Sequence, residues 1–409
     1  MKRAMCLIAG GGPAGIMLGL LLARGGVETI VCEKHADFLR DFRGDTVHAS
    51  TIRLLDELGL GAEFSELPQS RLQSLRLPTP DGESIDFSDF SALAPPYNYI
   101  AMIPQWDFLE FLAGHARREP TFTLSMQTEV TQLLWRDGRV MGAMVRSEDG
   151  EEPIEADLVV ACDGRSSMLR AEAELTPRAF DVPFDVWWFR LPRHADEQAE
   201  PANLVPSFAG SEIMLSIARE GFFQIAVFIP KGTDAARRAQ GVEPLRTMIS
   251  RLRPDFADRV NTLESMDQIK TLDVKLDRLT RWHRPGFLCI GDAAHAMSPA
   301  GGVGINLAIQ DAVAAARILR NPLRAGIVSE NDLAAVQRRR MMPTRIIQAM
   351  QRVLHRVIFQ KGFQSGRAGP PRFLLFLARH VPGFRKLPAH FVAFGPRPEH
   401  APDFARRPR

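Results

Sequence analysis

The stretch that decides the fold is Met5-Cys6-Leu7-Ile8-Ala9-Gly10-Gly11-Gly12-Pro13-Ala14-Gly15, continued by Thr29-Ile30-Val31-Cys32-Glu33. Residues 5–9 are an apolar run of the buried-strand type, and Ala14 to Ala23 is apolar and helix-like. Between them the spacing G-x-G-x-x-G is met: Gly10 permits the tight turn, Gly12 lets backbone approach a pyrophosphate, and Gly15 allows close helix packing. Pro13 and Ala14 open the helix, where free N–H groups and the helix dipole favour anions. Glu33, with Lys34 beside it, ends the second strand and suits a contact to ribose hydroxyls; the plain alternative is an exposed acid. The order strand, glycine turn, helix, strand, acid predicts an α/β, Rossmann-like fold.

At 409 residues the chain exceeds what one core usually organises, which predicts two packed domains or one domain with a large insertion. The apolar share of 45% and charged share of 24% are those of a globular protein. Apolar runs such as Ala14–Ala23 fall short of the roughly 20 residues of a membrane span. Met1-Lys2-Arg3 and the run after it lead into the glycine turn, not to a cleavage site, so a cytoplasmic protein is expected. Cys6, Cys32, Cys162 and Cys289 each lie in a buried-strand run without metal-ligand spacing, so no metal site is expected. Charge is uneven: residues 338–409 hold 16 Lys/Arg against Glu399 and Asp403, a surplus of 14 within a net +3, which leaves the rest at −11. A solvated helical face explains this surplus; peripheral contact with an anionic membrane is the sharper reading, and nucleic acid is not expected.

Farther along, Ser50–Leu60 and Trp106–Arg117 have helical spacing, and Leu72–Phe90 is broken by Pro80-Asp81-Gly82 into a hairpin. Thr121–Val145 reads as two segments around Asp137-Gly138, and Leu158–Ala161 as another buried strand. From about 181 to 275 the pattern becomes antiparallel, with Val186–Leu191, Glu212–Ala218 and Phe222–Ile229 as strands. Phe287–Ile290 and the helix Gly304–Leu319 return to the first type; Ala334–Phe359 and Phe373–Phe394 are basic and amphipathic. The expected organisation is a discontinuous nucleotide domain over 1–75, 100–180 and 276–333, a substrate sheet over 76–99 and 181–275, and a basic helical region over 334–409.

Two later segments repeat the strand-then-turn pattern. One is Leu158-Val159-Val160-Ala161-Cys162-Asp163-Gly164-Arg165, where Asp-Gly alone is commonly just a turn. The other is Gly291-Asp292-Ala293-Ala294-His295, followed by Ser298-Pro299-Ala300-Gly301-Gly302-Val303-Gly304-Ile305-Asn306 and a helix bearing Asp311. With the glycine fingerprint, these three ordered motifs resemble the group A FAD-dependent aromatic hydroxylases typified by para-hydroxybenzoate hydroxylase, over roughly residues 5–320.

The resemblance implies a GR2-type FAD domain with an inserted antiparallel substrate sheet and C-terminal helices. It also implies bound FAD, with NAD(P)H as co-substrate: NAD(P)H reduces FAD, O2 adds at flavin C4a, and the hydroperoxide passes one oxygen to an electron-rich ring. It makes Asp163 and Arg165 cofactor contacts, puts Gly291 and Asp292 at the ribityl chain, and sets Pro299, Gly301, Gly302, Val303, Gly304 and Asn306 beside the isoalloxazine. Arg43 and Gln105 match family cofactor positions in place and type.

The sheet should cover the flavin, so alternate positions including Trp187 or Trp188, Met214 and Phe223 are substrate-pocket candidates, against ordinary core packing. Family members acting on phenolates often use tyrosine or arginine there, yet only Tyr97 and Tyr99 occur, near the return to the FAD domain. His48 and Pro299 are the catalytic candidates; His295 reads as a structural hydrogen-bonding residue. Two other readings stay open: an FAD-dependent reductase of a quinone- or lipid-like substrate, and a non-enzymatic interaction protein. A flavin-dependent halogenase lacks its Trp-x-Trp-x-Ile-Pro signature here.

Overall fold

The computed structural model describes residues 2–39, 46–78, 84–199, 204–366, 368–369, 372–381 and 383–408. Uninterrupted apolar runs suit parallel strands covered on both faces, and they form the spine of the first sheet. Its elements are β1 (Lys2–Ala9), α1 (Pro13–Arg24), β2 (Thr29–Cys32), α2 (Gln105–Ala116), β3 (Phe122–Ser125), β4 (Glu129–Arg136), β5 (Arg139–Ser147) and β6 (Gly150–Ala161). β6 lies parallel to β1, with Cys6 opposite Leu158 and Ala9 opposite Ala161; β2 and then β3 extend the sheet on β1's other side. The hairpin β4–β5 turns at Asp137 and Gly138, both at positive φ, and pairs antiparallel with the first half of β6.

The insertion contains β7 (Phe184–Pro192), β8 (Leu204–Ala209), β9 (Glu212–Ala218), β10 (Phe222–Pro230), α3 (Glu243–Leu252) and β11 (Lys270–Leu272). The five strands form one antiparallel sheet in the order β8-β9-β10-β7-β11. Strand residues alternate between two apolar faces. One face, with Trp187, Phe189, Met214, Phe223, Ile225 and Val227, packs with Leu245 and Ile249 of α3. The hairpin expected near Leu72–Phe90 forms from Ser74–Pro78 and Ser84–Asp89; its tip, Pro80-Asp81-Gly82, lies outside the described residues.

The chain then returns to the first sheet through β12 (Phe287–Cys289), parallel to β6, and continues as α4 (Gly304–Arg324), α5 (Glu330–Leu354), α6 (Arg372–His380) and α7 (Lys386–Phe394). α5 is capped by Ser329 and Asp332 in a reciprocal capping box, so the helix starts four residues before 334. Its early residues Leu333 and Val336 belong to the same core as β1, β6 and α4, and Ala401 and Ala405 rejoin that core after α7. The end of α5 passes into one π-helical turn, His355–Gln360.

Candidate functional site

The glycine turn has the shape its residues predict. Gly10 adopts φ +106°, and a Cβ there would lie 2.5 Å from the Cys162 carbonyl oxygen; at Gly15 it would lie 1.9 Å from the Gly10 carbonyl oxygen. A Cβ at Gly12 would meet no protein atom within 4 Å. That open side is the wall of a cavity of about 1540 Å³, lined here by Gly10, Gly12, Pro13 and Ala14. Glu33 and Lys34 line it too. The buried Glu33 carboxylate accepts the Gly11 N–H at 2.9 Å and the His35 N–H at 3.0 Å, which aims it at the turn. An anion beside the α1 N-terminus, with a ribose within reach of Glu33, fits this end.

The two later motifs converge on the same cavity. Asp163, Arg165 and Asp292 line it, with Arg165 Nη2 3.8 Å from Asp292 Oδ2. Burial raises the Asp163 carboxyl above its ordinary range, against hydrogen bonds that include Ser167. Arg170 ties the motifs together: its guanidinium donates to the Arg165 carbonyl at 2.9 Å and the Ala293 carbonyl at 3.2 Å. Behind them the fully buried Asp311 accepts the Gly291 N–H at 3.1 Å, lies 2.6 Å from His295 Nε2, and pairs with Arg340 Nε at 2.9 Å. Burial opposes ionisation of Asp311, yet His295 and Arg340 outweigh it and hold its carboxyl below the usual range. Arg340 also reaches Glu399 at 3.6 Å.

Pro299, Gly301, Gly302 and Gly304 line the cavity beyond Asp292, and Gln105 lines it from the start of α2. Gly301 and Gly302 take positive φ, and the Gly302 N–H closes a turn on the Pro299 carbonyl at 3.0 Å. Gly15, Gly291, Val303 and Asn306 stand one layer behind the wall and support it. Asn306 is occupied: its Oδ1 accepts the His48 N–H at 2.9 Å and the Thr51 hydroxyl at 2.8 Å, while its Nδ2 donates to the Thr46 carbonyl at 3.2 Å. Arg43 lies outside the described residues.

His48 is buried on the cavity wall with Nδ1 2.7 Å from the Val392 carbonyl oxygen of α7. A carbonyl can only accept, so Nδ1 carries the proton and Nε2 keeps its lone pair. Nε2 has no hydrogen-bond partner among the described residues, and the nearby Gly302 carbonyl accepts instead from the Thr46 hydroxyl at 3.0 Å. Burial lowers the imidazole pKa to about 4, which keeps it neutral near pH 7.

On the sheet side, strand parity corrects two sequence expectations. Trp187 donates its indole N–H to Asp234 at 2.6 Å, Phe223 stacks near Phe256, and both pack on the α3 face away from the cavity. Met214 packs with them and also reaches the cavity wall. The cavity face belongs to their neighbours in the pleat: Trp188, Ile213, Leu215, Ile217 and Phe228, with Arg219 at the end of β9. Neither tyrosine lines it; the Tyr97 hydroxyl donates to Asp56 at 2.7 Å and Tyr99 lies under Arg71. The C-terminal wall of Leu354, Ile358, Phe359, Phe391 and Val392 escaped sequence reading, because amphipathic spacing shows that a face is buried but not against what. Among the described residues no cluster of metal-ligating side chains occurs.

The cavity therefore joins an end whose glycine turn and Glu33 suit phosphate and ribose to an apolar chamber, an arrangement that fits an extended dinucleotide with its ring system at the chamber mouth. Residues 3–350 match the protein family described as FAD binding domain. The chain is 30% identical over 390 residues to 6-methylpretetramide 4-monooxygenase of Streptomyces rimosus, covering 95% of this chain and 91% of that protein. It is 29% identical to the 12-dehydrotetracycline 5-monooxygenase/anhydrotetracycline 6-monooxygenase of Streptomyces rimosus subsp. rimosus, matching 75% of this chain but spanning only 60% of that longer protein. In fold it resembles p-nitrophenol 4-monooxygenase PnpA from Pseudomonas putida, with a TM-score of 0.76, 19% identity, and coverage of 96% and 98% of the two chains. The chain belongs to the FAD binding domain family, among the FAD-dependent monooxygenases that act on aromatic compounds.

Proposed function

We propose that this enzyme hydroxylates a large, apolar, fused-ring aromatic substrate, with O2 as oxygen donor and NAD(P)H as reductant. The carrying observation is the cavity: at about 1540 Å³ it exceeds the ~300–1,000 Å³ of a single small-molecule cleft, and its far half is walled by apolar sheet and helix side chains. Two ligands end to end suit such a space, and the relatives whose names specify tetracycline-type polycycles support a substrate of that breadth. FAD, when bound, supplies the two-electron and oxygen chemistry. Gly10, Gly12, Pro13, Ala14, Glu33, Asp163, Arg165 and Asp292 would hold its nucleotide and ribityl parts, and Gln105, Pro299, Gly301, Gly302 and Gly304 would border its ring, with Gly15, Gly291, Val303 and Asn306 supporting them from behind. The chain's own chemical contribution is assigned to His48, whose unprotonated Nε2 accepts a hydrogen bond from a phenolic hydroxyl and so orients that oxygen and draws electron density onto it. Arg219 is the cation on the sheet side that steadies a phenolate or enolate oxygen.

The test is NAD(P)H oxidation by the FAD-loaded protein over a panel of fused-ring phenols, with labelled O2. One labelled oxygen atom in the product is expected, and His48→Asn should retain FAD but lose at least tenfold in turnover. Anaerobic turnover of a quinone- or lipid-like substrate without labelled product would establish the reductase reading instead.

A hydrophobic substrate also suggests where the enzyme works. No helix among the described residues is long and apolar enough to cross a membrane. Four free cysteines and the use of NAD(P)H support a cytoplasmic enzyme. Residues 333–398 contain no Asp or Glu, and Val353, Phe373, Phe376 and Leu387 in that region are 60%, 68%, 57% and 70% exposed. Val353 and Leu387 line the cavity as well, so its opening sits in this basic, apolar surface. We assign this surface to peripheral contact with anionic lipid. Vesicles containing phosphatidylglycerol should pull the protein down at low salt and vesicles of phosphatidylcholine should not; Phe373→Ser/Phe376→Ser/Leu387→Ser should abolish the difference.

A further inference from the structure

The segment Ser298-Pro299-Ala300 borders the end of the cavity assigned to the flavin ring, and it has neither helix nor strand structure to fix it. Its polar groups are met from α5 and the turn that follows. Gln351 Nε2 donates to the carbonyl oxygens of Ser298 and Ala300, each at 2.9 Å, and Gln351 Oε1 accepts the Ser298 N–H at 3.2 Å. One fully buried amide thus makes three bonds to two residues of the loop, Ser298 and Ala300. His355, the first residue of the π-helical turn, places Nε2 2.9 Å from Ser298 Oγ, and that oxygen also accepts the Ala300 N–H at 3.2 Å. Phe184 and Phe359 pack against the His355 ring at 5.1 and 6.3 Å between centroids. In that apolar box burial lowers the imidazole pKa to about 4, so the ring is neutral and shares a single hydrogen bond with the Ser298 hydroxyl. π-Turns concentrate at functional sites, and this one begins at the residue that faces the loop.

We propose that Gln351 and His355 are positioning residues that hold Ser298–Ala300 in the shape that receives the isoalloxazine, so that the C-terminal helices govern how much oxygen reaches product. In the coupled reaction NAD(P)H, a proton, O2 and the aromatic substrate give NAD(P)+, hydroxylated product and water. In the uncoupled one the same two electrons and two protons go to O2 alone and give H2O2. A loop free to shift opens the second route by leaving the ring poorly placed against substrate and accessible to water.

The peroxide readout rests on the monooxygenase reading; the spectroscopic readouts do not. FAD-loaded Gln351→Leu and His355→Phe are compared with Arg345→Ala, an exposed position on the same helix. Stoichiometric FAD, a shifted visible flavin band and midpoint potential, and a several-fold rise in H2O2 per NAD(P)H are expected for the first two. Gln351→Glu, which keeps the acceptor for Ser298 N–H but loses both donors, should fall between. Band, potential and peroxide fraction indistinguishable from Arg345→Ala would overturn the proposal. Should Gln351→Leu fail to fold, amide hydrogen exchange on His355→Phe decides it: the Ser298 and Ala300 amides should exchange at least tenfold faster than in wild type, and equal rates would overturn it. A shifted band with no labelled product from any substrate would leave the clamp standing and count against the hydroxylase reading alone.

Discussion

Arg340 is the residue whose loss should be felt farthest. It is fully buried between Asp311 and Glu399, and Asp311 in turn holds the Gly291 N–H at the nucleotide wall. Arg340→Leu keeps much of the volume but removes the guanidinium that Asp311 and Glu399 share, leaving Asp311 with His295 and Glu399 with Arg339, so the cost should reach at most the about 3–5 kcal/mol of breaking a buried ion pair outright. Denaturant unfolding should show a loss of that order, and FAD affinity should fall with it because the Gly291-Asp292 turn loses its support. Sequence reading recognised Gly291, Asp292 and Asp311 from the motif, but not Arg340. Nothing in a chain of basic residues from 338 to 345 marks the one that turns inward, since only the fold places Asp311 and Glu399 opposite it.

At the scale of elements, period-two alternation made the inserted strands legible, and their observed bounds match the expected ones within two residues: Phe184–Pro192 for Val186–Leu191, and Glu212–Ala218 unchanged. Which face meets substrate was not legible. Both faces of β7, β9 and β10 are apolar, because one packs on α3 and the other lines the chamber, so polarity cannot choose between them. Trp188→Ala and Phe228→Ala should therefore raise the substrate KM or broaden substrate range, with only modest change in flavin spectrum. Phe223→Ala, on the opposite face, should lower stability by about 3–5 kcal/mol while leaving the KM of the folded enzyme near wild type. Steady-state kinetics beside thermal melts separate the two faces; the reverse pattern would refute the assignment.

Across the whole molecule, buried neutral histidines set an acid limit. His48 and His355 have folded pKa values lowered to about 4 by burial, against about 6.5 in the unfolded chain. The unfolded chain therefore binds more protons between those values, so stability is fully present above pH 6.5 and falls as pH drops toward 4. Each histidine contributes up to roughly 3 kcal/mol to this loss. Chemical denaturation at pH 7 and pH 5 should show it, and His355→Phe should flatten the difference. The sequence carried the first domain's order, its three cofactor motifs and the insertion, because those rest on local spacing. It did not carry the junction of the C-terminal helices with Ser298, His48 and Asp311, because such contacts span 29 to 344 positions and rest on single polar atoms.

The tie between Gly291, Asp311, Arg340 and Glu399 also has a consequence for biosynthesis. The turn that borders the ribityl site leaves the ribosome roughly a hundred residues before Glu399, which at ~5–20 residues per second is a wait of about 5–20 s. During that interval the nascent nucleotide wall lacks Arg340 or its partner Glu399, so firm cofactor capture is expected to wait until residue 399 has been made and folded back, and flavin present after that point should count for more than flavin present while the first motifs emerge.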